Sequence, residues 1–179
     1  MTARAAGSGA APDEFAARLG EHRGILWKIA NSYCRAGEDR DDLVQEICLQ
    51  LWRAYPAYDP ERRFSTWMYR VALNTAISAW RTRQSRQRRE VPLDDARAGD
   101  IAGAPPAEGR SGEDPRRLRL YGVLRELGDL DRALVLLHFE DRSHREIAEV
   151  LGISETNVGT KLNRLKQTMR RRLAAEGES

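Results

Sequence analysis

The sequence predicts an all-α protein: two small helical domains joined by a flexible linker, the second carrying a helix-turn-helix. Three observations predict it. Apolar residues recur at three- and four-residue steps in each patterned segment, the period of a helix buried on one face. No stretch alternates for long enough to make a useful strand. Between Val91 and Pro115 the period stops, and Gly, Pro and Asp interrupt the chain repeatedly.

The elements follow in order. Residues 1–12 are rich in Ala, Gly and Ser and are expected to form a disordered tail. Residues 13–90 then form the first domain. Phe15, Leu19, Leu26, Ile29 and Tyr33 mark one helix, with Asp13 as its expected N-cap. Gly37 interrupts it. A second helix is expected from about Asp39 to Tyr55, with Leu43, Ile47 and Leu51 on one face. Pro56 and Pro60 enclose a loop. A third helix starts near Ser65, carries Met68, Val71, Ala72, Ala76 and Ala79, and runs into an arginine-rich stretch. Residues 91–114 are the linker. Residues 115–174 are the second domain. Asp114 and Pro115 suit the N-cap and first position of a helix marked by Leu118, Tyr121, Leu124 and Leu127. A further helix is expected from about Asp131 to Phe139.

Composition bounds the function. The chain has 179 residues and a net charge of +3, with an isoelectric point near 9.1. The charge is sorted: Arg81, Arg83, Arg86, Arg88 and Arg89 crowd one stretch, Arg170 to Arg172 another, and acids gather between Asp94 and Asp114. Such sorting suits a polyanion partner. Cys34 and Cys48 form no CxxC and are expected to be buried free thiols. No apolar run approaches the roughly 20 residues of a membrane span, and the N-terminus lacks a signal-like apolar core. A cytoplasmic protein without membrane insertion is expected. His138 and His144 lie across a helix break with no third ligand, and the H-x-E fragment lacks the P-C-x-x-C of zinc deaminases. No catalytic residue, metal site or cofactor is expected.

The stretch from Ser143 to Leu165 carries the most chemistry. Ser143-x-x-Glu146 fits a capping box. Ile147, Ala148 and Leu151 are expected to face inward. Gly152 suits a left-handed turn, Ile153 plugs the corner and Ser154 caps the next helix. Val158, Leu162, Leu165 and Met169 make one apolar stripe. In a helix-turn-helix, the second helix enters the major groove of DNA. Thr156, Asn157, Thr160, Lys161, Asn163 and Arg164 lie on its expected wet side, where Asn suits adenine, Lys suits guanine and a Thr methyl suits thymine. Arg164, Lys166, Arg170 and Arg171 are better placed for phosphates. Gly159 interrupts this surface and lowers helix stability by up to ~1 kcal/mol against Ala.

The upstream blocks D-R-D-D-L-V-Q-E-I-C-L-Q-L-W-R-A-Y and F-S-T-W-M-Y-R-V-A-L-N-T-A-I-S-A-W-R, followed by this helix-turn-helix, resemble bacterial extracytoplasmic-function RNA polymerase sigma factors. The resemblance covers about residues 13–90 and 115–173. It implies that the first block docks on the β′ clamp helices of core RNA polymerase, which makes Asp41, Asp42, Gln45 and Glu46 candidate polymerase contacts. It implies that the second block opens the −10 promoter element. The candidates there are Tyr58, Arg62, Arg63, Ser65, Thr66, Trp67, Arg70, Asn74 and Arg81. Their mixture of rings and bases suits a single strand, held by stacking in a positive groove, though Phe64 and Trp67 suit packing as well. The second domain is then implied to read the −35 element. Core polymerase, including its β subunit, promoter DNA and an anti-sigma factor are the implied partners. The chain departs from the family at Cys48, often a larger apolar residue; at Ser78, commonly Asp; at Gly159, often basic; and at Lys161, often Arg.

The linker sets the reach. About 25 residues span roughly 30 Å r.m.s. and stretch to about 80 Å, against about 34–36 Å for one DNA turn. Its acids suit a nucleic-acid-like occupant of the polymerase and equally a solvated tether. Free in solution, the two domains are expected to fold together and hide their DNA surfaces. The alternative reading, a stand-alone helix-turn-helix regulator, would have no use for the first block.

Overall fold

The computed structural model describes residues 10–34, 37–90 and 115–176. Seven α-helices make up these segments, with no strand among the described residues. They are α1 (Ala10–Tyr33), α2 (Gly37–Ala54), α3 (Phe64–Glu90), α4 (Pro115–Glu126), α5 (Asp129–Phe139), α6 (His144–Leu151) and α7 (Glu155–Glu176). A 3-10 turn, Tyr55–Ala57, follows α2. The expected tail and linker, with the linker's acids, lie largely or wholly outside the described residues.

The first three helices pack on one another. Their common core holds Phe15, Leu26, Ile29, Tyr33, Leu43, Ile47, Leu51, Met68, Ala72 and Ala76, all on the faces that the apolar spacing marks. Two boundaries differ from expectation. Helix α1 begins at Ala10, so Asp13 stands in its first turn and not at its cap. An acid there still favours the helix through the macrodipole, and Pro12 is tolerated because first-turn N–H groups have no partner inside the helix. Helix α5 begins at Asp129, capped by Gly128.

The last four helices form a second lobe. Tyr121, Leu124, Ala133, Leu134, Leu137, Ile147, Val150, Val158, Leu162 and Leu165 are buried there. Val150 takes the fully inward position in α6, while Ala148 and Leu151 are only half-buried. The capping box at Ser143 forms in both directions, and Gly152 ends α6 with φ +68°. The Asn157 N–H donates to Ser154 Oγ at 3.2 Å, starting α7 as the sequence predicts. The side chain of Met169 lies outside the described residues. The two lobes pack together, α1 against α4 and α5, and α3 against α5 and α6.

Candidate nucleic-acid interface

Helix α7 rests on α5 and α6. Burying Val158, Leu162 and Leu165 turns the opposite side of the helix to solvent. Thr156, Asn157, Thr160, Asn163 and Arg164 are all exposed. Lys161 is half-buried at the flank and sits 3.8 Å from an oxygen of Asp131 in α5. Thr160 donates to the Thr156 carbonyl at 3.0 Å, which fixes its hydroxyl and leaves its methyl free.

In the first lobe, Asp41, Asp42, Gln45 and Glu46 are exposed on α2. Leu49 and Trp52, further along the helix, are the large apolar residues left in water beside them. Asp42 and Glu46 rim a cleft of about 260 Å³ walled by Tyr33, Leu43, Ala76 and Trp80. This strip is acidic and has exposed apolar ground beside it.

The candidates for single-strand contact divide. Arg70 and Asn74 are exposed, one turn apart on α3. Tyr58 and Trp67 belong to an aromatic cluster with Tyr55 and Phe64, centroids 5.0 to 6.2 Å apart. The Tyr58 hydroxyl donates to the Arg62 carbonyl at 2.7 Å and braces the turn before α3. Ser65 is half-buried, and Thr66 is 7% exposed. Thr66 lines a cleft of about 730 Å³ between the lobes, together with Arg62, Arg63, Ser143, Glu146 and Glu149. Contact between Thr66 and a nucleic acid would be made inside that cleft.

Arg62, Arg63 and Arg81 already have partners. Arg62 lies 2.8 Å from Glu149, Arg63 lies 3.4 Å from Glu146, and Arg81 lies 2.5 Å from Asp129. Lys28 pairs with Glu140 at 2.5 Å, and the Tyr69 hydroxyl donates to the same carboxylate at 3.1 Å. The expected folding-together of the domains is therefore seen, with one correction. It pairs Arg62, Arg63 and Arg81 of the first lobe with carboxylates and leaves Arg70 and Asn74 exposed, while the outer face of α7 stays in water, because α4, α5 and α6 pack against the first lobe.

Sequence reasoning missed Arg132, which is 1% exposed. Its guanidinium donates to the Leu124, Arg125 and Leu127 carbonyls at 2.7 to 2.9 Å, closing the C-terminus of α4. It also lies over the rings of Tyr33 and Trp80, 4.7 and 5.1 Å from their centroids. Its Nη1 has no hydrogen-bond partner, and the ring faces take that place. Burial lowers its pKa and raises those of Tyr33, Tyr69 and the Cys34 thiol. Cys34 is buried and Cys48 half-buried, both unpaired. Glu146 is held below its ordinary pKa, first by the Ser143 backbone N–H. No cluster of three metal-ligating side chains occurs among the described residues.

Two family models match this chain at separate stretches. Sigma-70 region 2 matches residues 19–86, and Sigma-70 region 4 matches residues 117–169. RNA polymerase sigma factor CnrH of Cupriavidus metallidurans is 32% identical over 171 residues, covering 92% of this chain and 88% of its own. The chain belongs to the sigma-70 family of RNA polymerase sigma factors. Within that family it is similar to members of the extracytoplasmic-function group, such as SigW of Bacillus subtilis, 24% identical over 90% of this chain and 89% of that protein. The fold of this sigma factor is shared by RpoE of Bartonella quintana, solved in complex with the anti-sigma factor NepR. The TM-score is 0.70, with 17% identity over 90% of this chain and 97% of that one. No described helix of this sigma factor is long and apolar enough to cross a membrane.

Proposed function

We propose that this sigma factor docks on core RNA polymerase, its β′ clamp helices facing Asp41, Asp42, Gln45 and Glu46, and brings the enzyme to promoters. The exposed face of α7 reads a −35 element: Asn157, Asn163 and the threonines meet base edges, and Arg164 and Lys161 meet phosphate or guanine. Helix α3 and the turn before it hold the opened −10 strand, with Arg70 and Asn74 toward bases and Arg62, Arg63 and Arg81 toward the backbone. The protein makes and breaks no bonds; catalysis belongs to polymerase, with which it works in the cytoplasm.

The observation that carries this reading is the pairing, in one chain, of an exposed acidic strip on α2 with an exposed polar face on α7. A duplex reader acting alone would need only the second. The β subunit is a further proposed polymerase contact, for the second lobe. An anti-sigma factor is also a proposed partner, a reading supported by the fold shared with RpoE, solved with NepR. Run-off transcription over a promoter library tests the proposal. Core polymerase with this chain should start RNA at promoters with two elements, and core alone should not. Equal transcripts with and without the chain would overturn it.

A further inference from the structure

We propose that His144 supplies a DNA-phosphate contact beside α7, in the place that Gly159 leaves without a side chain, and that protonating it strengthens duplex binding. This rests on the reading of α7 as the duplex-facing helix.

Gly159 follows Thr156 by three residues and precedes Asn163 by four, so it neighbours the exposed face on the helix surface. A side chain starting at Gly159 would begin 3.7 Å from His144 Cε1 and 3.8 Å from its Nδ1. The imidazole therefore lies against the bare backbone of α7, and it remains exposed to solvent. His144 is also the first residue of α6, after the Ser143 cap. In a helix-turn-helix that helix crosses the DNA backbone, and its positive N-terminal end favours a phosphate.

Charged residues near His144 in the chain or along α7 have both signs. Arg145 on α6 and Lys166 on α7 are cationic, while Asp141 in the preceding turn and Glu155 at the start of α7 are anionic, and all four are exposed. His138 in the last turn of α5 completes the set. Its pKa is lowered by burial and then by Lys166 and His144, with Asp141 acting the other way, so these groups share one electrostatic neighbourhood. An imidazole is the side chain that gains charge between about pH 8 and pH 5. A positive charge on an imidazole there adds to the side of the duplex footprint. A phosphate draws the proton on, so DNA binding and proton binding favour one another.

The test is fluorescence anisotropy of the full chain on a labelled mixed-sequence duplex at constant ionic strength, because phosphate contacts carry no sequence. Wild-type affinity should rise about three- to tenfold from about pH 8 to pH 5.5. His144→Gln should remove that rise and His138→Gln should keep it. Adding Gly159→Lys to His144→Gln should restore tight binding that no longer depends on pH, since the added side chain meets the ring site at ordinary contact distance. A wild-type pH profile in His144→Gln would overturn the proposal. Lys161→Ala with Arg164→Ala separates the two readings. If that variant loses duplex binding while His144→Gln keeps its pH profile, only the role of His144 fails. If neither variant changes binding, α7 is not the duplex-facing helix and both readings fail.

Discussion

Glu146 shows how much one side chain can be asked to do. Its carboxylate accepts from the Ser143 N–H at 3.0 Å and from the Ser143 hydroxyl at 2.9 Å, closing the capping box of α6. It also stands 3.4 Å from Arg63 across the lobe boundary and 3.5 Å from Arg142. The Ser143 N–H is the first cause of its lowered pKa. A carboxyl whose folded pKa is depressed contributes stability above its unfolded pKa of about 4.3, and that contribution is lost as pH falls through the folded value. Glu146→Ala should therefore cost about 1 kcal/mol at neutral pH, measured by urea unfolding. The difference from wild type should shrink below about pH 4 as the wild-type carboxyl is neutralised. A constant difference down to low pH would show that charge is not what the cap uses. Gly152 is a second such residue: at φ +68° with open space around it, Gly152→Ala meets only backbone strain and should cost about 1 kcal/mol in the same measurement.

At the scale of elements, the closure of α4 depends on a residue from the next helix. Arg132 donates to three carbonyls at and just past the end of α4, of which Leu124 also accepts from the Leu127 N–H, and its planar fork can reach all three. Arg132→Ala should cost roughly 3 kcal/mol in urea unfolding. Arg132→Lys should recover only a part, because a single ammonium cannot span the same acceptors; full recovery by Lys would make charge, not geometry, the cause. Helix α2 offers the opposite case, an element whose wet face contributes little to folding. Asp42→Arg with Glu46→Arg should leave the melting temperature within a degree or two while lowering affinity for core polymerase, measured by native pull-down or anisotropy. Unchanged affinity would remove those residues from the interface. The contrast explains what was legible in the sequence. Leu43, Ile47 and Leu51 announce α2 because a buried face repeats with the helix, and Ser143, Glu146 and Gly152 announce the hinge because caps sit at fixed offsets. Arg132 announces nothing: in Leu-Asp-Arg-Ala-Leu it looks like one more solvated charge. Its burial follows from where α4 ends against the Tyr33 and Trp80 rings, and no local pattern encodes that. Likewise the sequence marks the exposed strip of α2 but not the cleft under Asp42 and Glu46, whose far wall comes from α3.

At the scale of the whole molecule, four ion pairs among the described residues join the lobes with one polarity. The first lobe supplies Lys28, Arg62, Arg63 and Arg81; the second supplies Glu140, Glu149, Glu146 and Asp129. These pairs join residues 48 to 112 positions apart, so no sequence period reveals them. Three of the cations are those proposed for the DNA backbone, and carboxylates stand where phosphates would. The acidic strip of α2 and the polar face of α7 remain exposed in the same arrangement. The closed form therefore leaves free the surfaces proposed for polymerase and duplex, and engages Arg62, Arg63 and Arg81 of the surface proposed for the opened strand while Arg70 and Asn74 stay exposed. Docking before strand capture is the order this favours. The strength of the closure decides whether it acts as a switch. Arg62, Arg63 and Arg81 keep 59%, 78% and 66% of their side-chain surface in water, and exposed pairs contribute about 0 to 1 kcal/mol each. Lys28 with Glu140, sheltered and braced by Tyr69, is the firmer pair. Salt screens the exposed pairs first, as the Debye length falls from about 10 Å at 0.1 M toward 3 Å at 1 M. Small-angle scattering on the free chain should then show a radius of gyration that grows with salt. Glu146→Lys with Glu149→Lys should open the chain already at low salt, by setting lysines against Arg62 and Arg63. The same variant should bind a single-stranded −10 oligonucleotide more tightly than wild type at equal salt, because its arginines are released. An unchanged radius in that variant would mean that Arg132 and the apolar contact between α1, α4 and α5 hold the lobes without the ion pairs. An opened chain with unchanged strand binding would mean that the closure does not guard the strand site.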